Sequence, residues 1–384
     1  AYIQLIDPKY EKLARGNALR HVVQYPPRGE IFDRNGEYLA QNRVCYDLMV
    51  IYRELPREGF DTLQMLDLLG ISRTKLERAL RNARMSPRIP YMVTNFISSE
   101  VKLRFDENDF PGFYTVYRTI RSYPRKIGGN LLGDVGEINE RQLKMKRYAD
   151  YRSGDYVGQS GVEKAYEEEL RGKKGVKIME KDTHGVVKGS YMDGMFDSLP
   201  EPGNYIVTTI DARLQAFTEE LMRGKVGAAV AIEPSTGEIL MMVSSPTFDP
   251  DEMVGRHRGN NYMKMLYNKR QPMFNRAVKA KYPPGSTFKL VQGLIGLQEG
   301  VLTPADRYSC NGGFRYGHRM MKCHAHASPL DLRGAVANSC NAYFCYVLRN
   351  ILENRRYEDV EHGFDMWKTY VNSLGFGRKL ESDF

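Results

Sequence analysis

"KYPPGSTFKLVQG", residues 281–293, is the stretch on which the reading of this chain turns. It sets Ser286 three positions before Lys289, after Pro283-Pro284-Gly285 and ahead of an apolar run. On a helix, positions i and i+3 share a face, so the hydroxyl and the amine come within reach of each other. A lysine kept neutral by burial can take the serine proton, leaving the oxygen to attack a carbonyl. The competing reading is a serine that caps an ordinary helix. Spacing alone does not separate the two, because Ser72/Lys75 and Ser99/Lys102 repeat it at helix starts, where both read as N-caps with solvated lysines. Ser286 differs in its surroundings. The Pro-Pro-Gly approach fixes the backbone, "LVQGLIGLQ" predicts a buried helix, and Ser339-x-Asn341 lies downstream in "ANSCN". Ser-x-Asn either caps a helix or sets a hydroxyl to relay a proton and an amide to hold a substrate carbonyl.

Working outward, 384 residues are long for a single core and imply two or three domains. The composition, 42% hydrophobic and 27% charged, is that of a folded protein. The apolar runs, such as "VGAAVAI" at 226–232, fall far short of the roughly 20 residues that span a bilayer. The net charge of +9 is scattered rather than gathered in a stripe, and no nucleic-acid motif appears. This argues against nucleic acid as a partner and fits an anionic membrane face or cell wall. Ala1 is not a natural start and nothing near it reads as a signal peptide, so the chain is expected to be cut from a longer precursor.

The pattern predicts an α+β multidomain protein. Residues 1–25 read as a helical stalk, with Leu5, Tyr10 and Leu13 on one side. A mixed module is expected over 26–203: Asn35-Gly36 marks a hairpin, Gly70 stops one helix and Ser72 opens the next. A second domain is expected over 204–384, beginning with a strand, a helix capped by Asp211, and a hairpin through "EPSTGE".

Together, Ser286-x-x-Lys289 and Ser339-x-Asn341 resemble the motifs of serine transpeptidases that bind penicillin. "RGEIFDRNGEYLA" (28–40), "RSYPRKIGGNLLGDVGEI" (121–138), "GQSGVEKAYEEELRG" (158–172), "TTIDARLQ" (208–215), "AIEPSTGEILMMVSSPTFDP" (231–250) and "NRAVKAKYPPGSTFK" (275–289) look, in order, like the blocks of class B penicillin-binding proteins, most like the elongation-type branch. The resemblance implies a non-catalytic pedestal with a head at roughly 55–125, then part of a transpeptidase domain related to serine β-lactamases. It implies that Ser286 forms an acyl-enzyme with the penultimate D-Ala of a peptidoglycan stem peptide and is acylated by β-lactams. Lys289 would be the general base, while Ser339 and Asn341 would pass the proton to the leaving amine and orient the peptide. The Ser286 backbone N–H would form half of the oxyanion hole.

It also implies a single-pass inner-membrane protein facing the periplasm, its anchor missing here, with a membrane glycosyltransferase and scaffold proteins of the elongation complex as partners. No cofactor is needed for the reaction. The alternatives are a non-catalytic interaction module, since residues 1–203 carry no catalytic motif, or a D,D-carboxypeptidase or β-lactamase, against which the long pedestal argues.

Two departures accompany the resemblance. "KIGGNLLGDVG" carries Gly-Asn where relatives often have Ala-His. The third family motif, Lys-[Ser/Thr]-Gly, is not found after Asn341. Its near miss, Lys368-Thr369-Tyr370, lies in a helical pattern, and tyrosine does not permit the close backbone approach of glycine. The chain is therefore expected to end inside the transpeptidase fold and not to turn over alone.

Of five cysteines, four fall in a span that also holds His318, His324 and His326. Cys310, Cys323, His326 and Cys340 make a Cys₃His set for a structural zinc, with His324 able to replace His326. A Cys310–Cys323 disulfide across a Gly-rich loop, or free thiols, are the other readings. Metal is favoured because Cys340 sits between Ser339 and Asn341 and must point away from the pocket they face. Cys45 and Cys345 read as buried small hydrophobes.

Overall fold

The computed structural model describes residues 19–56, 62–108, 110–181 and 187–377. Residues 1–18, most of the expected stalk, lie outside these. Leu19–Gln24, expected to end that helical stalk, is instead a strand, β1. The β-branched pair Val22-Val23 suits a pleated strand, and β1 pairs antiparallel with Gly175–Lys181.

The described residues fall into two compact units, those up to residue 280 and those from residue 281. In the first, β2 (Ile31–Phe32) and β3 (Tyr38–Val50) form the hairpin that Asn35-Gly36 announces, Gly36 taking a φ of +82°. Helices α1 (Thr62–Leu69) and α2 (Arg73–Met85) come after it, α2 capped by Ser72, whose side chain accepts from the Lys75 N–H. Next come β4 (Tyr91–Ile97), α3 (Ser99–Asp106) and β5 (Phe113–Ser122). The cap of α3 is Ser98, not Ser99, which is the first helical residue.

Strand β3 pairs with β5 along one edge and with β2 and then β4 along the other. Its outer half, with α1, α2, α3 and β4, encloses one apolar core around Leu48, Met65, Leu76, Ile97 and Phe105.

The chain then runs through α4 (Gly129–Leu132), β6 (Val135–Glu137), β7 (Tyr156–Gly158), α5 (Gly161–Ala165), α6 (Glu167–Leu170), β8 (Gly175–Lys181) and β9 (Val187–Ser190). β10 (Ile206–Val207) returns to pair parallel with β2. Helix α7 (Ala212–Leu221), capped by Asp211, precedes the hairpin of β11 (Gly227–Ile232) and β12 (Ile239–Ser245). A second core gathers Ile31, Leu39, Tyr123, Leu132, Leu170, Ile210 and Met242 from across this unit. Through Ile210, Ala212 and Met242, the stretch after residue 204 packs into the first unit.

Several of the family-like sequence blocks meet at one buried carboxylate. Glu163 accepts from Arg28 Nε at 2.6 Å, Arg121 Nε at 2.6 Å and the Tyr123 hydroxyl at 3.2 Å. Glu167 pairs with Arg28 at 2.7 Å. These residues are spaced along the chain as framework, because a charge so deeply buried survives only when fully paired. Close backbone approach explains Gly29 in the same network: a Cβ there would lie 1.8 Å from the Asn204 carbonyl oxygen.

The second unit holds α8 (Phe288–Gln298), the hairpin of β13 (Gly313–Tyr316) and β14 (Arg319–Lys322), α9 (Leu332–Ala337), α10 (Asn341–Leu352) and α11 (Val360–Ser373). Ile295, Leu302, Tyr343, Phe344, Val347 and Ile351 form its core. Helix α8 is not buried all round, as its sequence suggested. Gln292, Gly293, Ile295 and Gly296 face the core, while Leu290 and Leu294 are 56% and 58% exposed. Lys368, Thr369 and Tyr370 lie within α11, as their periodicity predicts.

Candidate functional site

Gly285 takes a φ of +58°, and with Pro283 and Pro284 it turns the chain into a single 3₁₀ turn, Gly285–Thr287, that runs on into α8. Ser286 caps nothing: no side-chain cap closes either helical segment. Its Oγ instead accepts a hydrogen bond from the Ser339 hydroxyl at 3.0 Å. Lys289 Nζ donates to Ser339 Oγ at 2.9 Å and to the Ser339 carbonyl at 2.6 Å. The lysine therefore engages Ser286 through Ser339, although the helical spacing led us to expect direct contact. The half-buried helix face turns Nζ toward the segment between α9 and α10.

That segment is shaped by a strained residue. Asp331 caps α9 by accepting from the Gly334 N–H, and the helix ends with Ser339 at a φ of +49°. The left-handed region is normally taken by glycine or asparagine at helix ends, because a Cβ costs about 1–2 kcal/mol there. Here it reverses the chain so that Ser339 faces Lys289 while Cys340, next in sequence, is buried at 1% exposure. Asn341 then opens α10, its Nδ2 donating to the Lys322 carbonyl of β14 at 2.8 Å. One amide hydrogen and the amide oxygen remain for other partners.

Residues 310–323, read from sequence as a Gly-rich loop, contain the β13–β14 hairpin that supplies this carbonyl. Gly317, at a φ of +54°, is the one signal that could have marked its turn. Sequence reasoning also missed a shallow cavity of ≈ 170 Å³ beside Lys289 and Asn341, walled by Phe288, Gln292, Met321 and Phe344. Cys345 lines it as well, so this thiol is not a buried hydrophobe; burial still pushes its pKa up. Cys45 is buried.

Cys310, Cys323, His326 and Cys340 come together with their ligand atoms within 4.8 Å of one another. His326, not His324, completes the set. The five cysteines are free thiols in this structure. Burial favours the neutral thiol of Cys323, but the Ala342 N–H at 3.3 Å and neighbouring groups outweigh it and lower its pKa. Burial pushes Cys340 up to about 11.

The donors suit a metal. His326 Nδ1 lies 2.7 Å from the Ala327 carbonyl, and its Nε2 is buried without a partner. Zinc–sulfur bonds of about 2.3 Å place tetrahedral sulfurs roughly 3.8 Å apart, and Cys323 and Cys340 Sγ stand at 4.0 Å. Cys340 also caps α10 by accepting from the Tyr343 N–H, so the cluster ties hairpin and helix start together.

Two family models match the chain: the penicillin-binding protein dimerisation domain over residues 23–208 and the penicillin-binding protein transpeptidase domain over 227–384. The peptidoglycan D,D-transpeptidase MrdA of Acinetobacter baumannii is 30% identical, with 100% of this chain and 56% of the relative covered. The Salmonella typhimurium protein of that name is 29% identical, with 97% and 60% covered. The chain thus spans less than two thirds of the length of these relatives. A solved complex between penicillin-binding protein 2 (PBP2) and MreC from Helicobacter pylori shares the fold, with a TM-score of 0.72 at 24% identity over 95% of this chain and 68% of that one. With one domain of each kind in the family's order, the chain belongs to the penicillin-binding proteins that join a dimerisation domain to a transpeptidase domain.

Proposed function

We propose that this chain carries the acylation machinery of a peptidoglycan D,D-transpeptidase of cell-wall elongation. The observation that carries the reading is the unbroken hydrogen-bonded series Ser286–Ser339–Lys289. Hydroxyl hydrogens rotate, so the same oxygens can pass a proton from Ser286 to an unprotonated Lys289. Ser286 Oγ attacks the carbonyl of the penultimate D-Ala, and the C–N bond to the terminal D-Ala breaks. The proton returns through Ser339 to that leaving amine. An amine of a neighbouring strand then takes the acyl group, and the serine regains its proton. Asn341 holds the peptide with its remaining amide groups, and the Ser286 N–H faces the developing oxyanion. β-Lactams acylate the same oxygen.

Zinc at Cys310, Cys323, His326 and Cys340 would fix the segment bearing Ser339 and Asn341 without entering the reaction; the buried, unpartnered His326 Nε2 supports this reading. A protein of the same fold is solved in complex with MreC; by analogy, a scaffold protein is the partner we propose for this chain, at the outer face of the inner membrane. No helix among the described residues is long and apolar enough to cross a membrane.

The test is labelling of the full-length protein with a fluorescent penicillin. A covalent adduct is expected, and Ser286→Ala should abolish it. Labelling that persists in that variant would assign the acyl group elsewhere. Product analysis with an added acceptor amine separates transpeptidation from hydrolysis by a carboxypeptidase.

A further inference from the structure

The net charge of +9 is scattered residue by residue, but it is not even by region. Residues 253–352, which hold Ser286, Lys289, Ser339 and Asn341, carry 15 Lys and Arg against three acids, Glu299, Asp306 and Asp331. The rest of the chain carries 41 against 44. The three acids are engaged by polar groups rather than cations: Glu299 accepts from Asn354 and Tyr357, Asp306 from the Thr303 N–H, and Asp331 caps α9.

In the second unit this excess reaches the β13–β14 hairpin. No carboxylate occurs from Arg307 to Leu330, and Arg307, Arg315, Arg319 and Lys322 are all exposed. Among the described residues, no carboxylate pairs with any of these four cations. Side chains of a strand alternate between its faces. The register sets Phe314 opposite Met321 and Tyr316 opposite Arg319, so these four share one face, while Arg315 and Lys322 lie on the other. Phe314 packs that shared face on the Tyr346 ring of α10 at 5.0 Å, and Met321 lines the cavity beside Lys289 and Asn341. Arg319 therefore stands two residues beyond the cavity rim, on the side of the site. Tyr316, across from it, is 81% exposed.

The base of the hairpin is tied to the residue that would hold the peptide, since Asn341 Nδ2 donates to the Lys322 carbonyl at 2.8 Å. From Lys322 to Arg319 are three steps of about 3.4 Å, roughly 10 Å in all. An extended peptide advances at the same rate. With its penultimate D-Ala carbonyl at Ser286, the residues two or three positions upstream come within reach of Arg319. In stem peptides those residues carry free carboxylates. We propose that Arg319 is a specificity-determining residue that pairs with an upstream carboxylate of the donor stem peptide, Tyr316 flanking the pair. The identity of the peptide rests on the function proposed above.

The experiment is fluorescence anisotropy on the full-length protein carrying Ser286→Ala, so that binding is read without acylation. The probes are a dye-labelled stem pentapeptide with free carboxylates and the same peptide with only its upstream carboxylates amidated. The free form is expected to bind about five- to tenfold more tightly, and Arg319→Glu should erase that difference. Arg319→Lys should keep part of it, because the charge remains while the planar fork is lost. Arg315→Glu, also exposed but on the opposite face, should change binding of the free form less than about twofold. Neither reversal should move the melting temperature, because neither side chain has a carboxylate partner to lose. Lack of binding at millimolar peptide, equal binding of the two peptides, or a preference that survives Arg319→Glu would overturn the proposal. An equal loss on Arg315→Glu would do the same, by showing general attraction to a basic region. So would a reversal that weakens binding to anionic phospholipid vesicles while leaving the peptide preference intact, which would assign Arg319 to a membrane surface. Penicillin labelling of the protein with Ser286 intact is scored separately. Labelling without the carboxylate preference removes only this inference, and the preference without labelling removes the proposed acylation and leaves Arg319 as a peptide-binding residue.

Discussion

Ser339 is the residue where backbone and chemistry conflict most. Its φ of +49° suits glycine, yet its hydroxyl is the middle member of the series that joins Lys289 to Ser286. Ser339→Gly should therefore be more stable than Ser339→Ala by about 1 kcal/mol, while both lose penicillin labelling by about 10²-fold or more. Thermal melts and labelling rates measure the two effects independently, and equal stability of the pair would mean that the strain is not real. The chemistry was legible here only in part. The Ser-x-x-Lys spacing occurs at three places, and Ser72 does what a capping serine does. What distinguished Ser286 was its Pro-Pro-Gly approach and its distant partner. The left-handed turn at Ser339, and the lysine it captures, could not be read from a tripeptide because they depend on how α9 ends against α10.

Glu163 gives a second prediction at this scale. Burial would raise its pKa, but Arg121 and Arg28 outweigh burial and hold it below the usual carboxylate value. A depressed pKa in the folded state means that the pairing contributes fully above the unfolded value of about 4.3, and its contribution is lost as pH falls through the folded value. Glu163→Gln should cost about 3–5 kcal/mol at neutral pH. Its stability should fall less steeply than that of the unsubstituted chain below about pH 4, as urea titrations across that range would show.

Among the elements, α8 departs most from its sequence. "LVQGLIGLQ" is apolar all round, and periodicity cannot say which apolar face is covered. The structure covers the side of Ile295 and exposes Leu294. In this chain Ile295→Ala should cost about 2–5 kcal/mol and Leu294→Ser within about 0.5 kcal/mol. Chemical denaturation of both variants checks this, and comparable losses would show that the Leu294 face is covered in solution. The hairpin of β13 and β14 was hidden by a stretch rich in Gly, His and Cys that reads equally well as metal loop or disulfide loop. If zinc joins it to α10, Cys340→Ser should reduce bound metal from about one per chain and lower the melting temperature. Cys45→Ser should leave the metal content unchanged. Elemental analysis with a thiol count measures both, and a chain free of metal before substitution would end the zinc reading.

For the molecule as a whole, three of the blocks read from sequence in family order turn out to be framework: Arg28, Arg121, Tyr123, Glu163 and Glu167 build one buried network rather than a reaction centre. The chain between the two compact units, from Lys279 to Thr287, is exposed apart from half-buried Ala280. Limited trypsin should cut at Lys279 or Lys281 and yield two fragments of the corresponding lengths, identifiable by mass spectrometry. Preferred cleavage inside either unit would contradict the division.

The parallel pairing of β2 with β10 has a consequence in time. Ile31 and Phe32 find their partners only at Ile206 and Val207. At roughly 5–20 residues synthesised per second, that partner emerges on the order of 10–35 s later. For this interval the emerging chain presents a hairpin with one side unclaimed and the Arg28 guanidinium without Glu163. A ribosome stalled before residue 206 should therefore release a product that aggregates more readily than the full chain, as sedimentation of the two products would show.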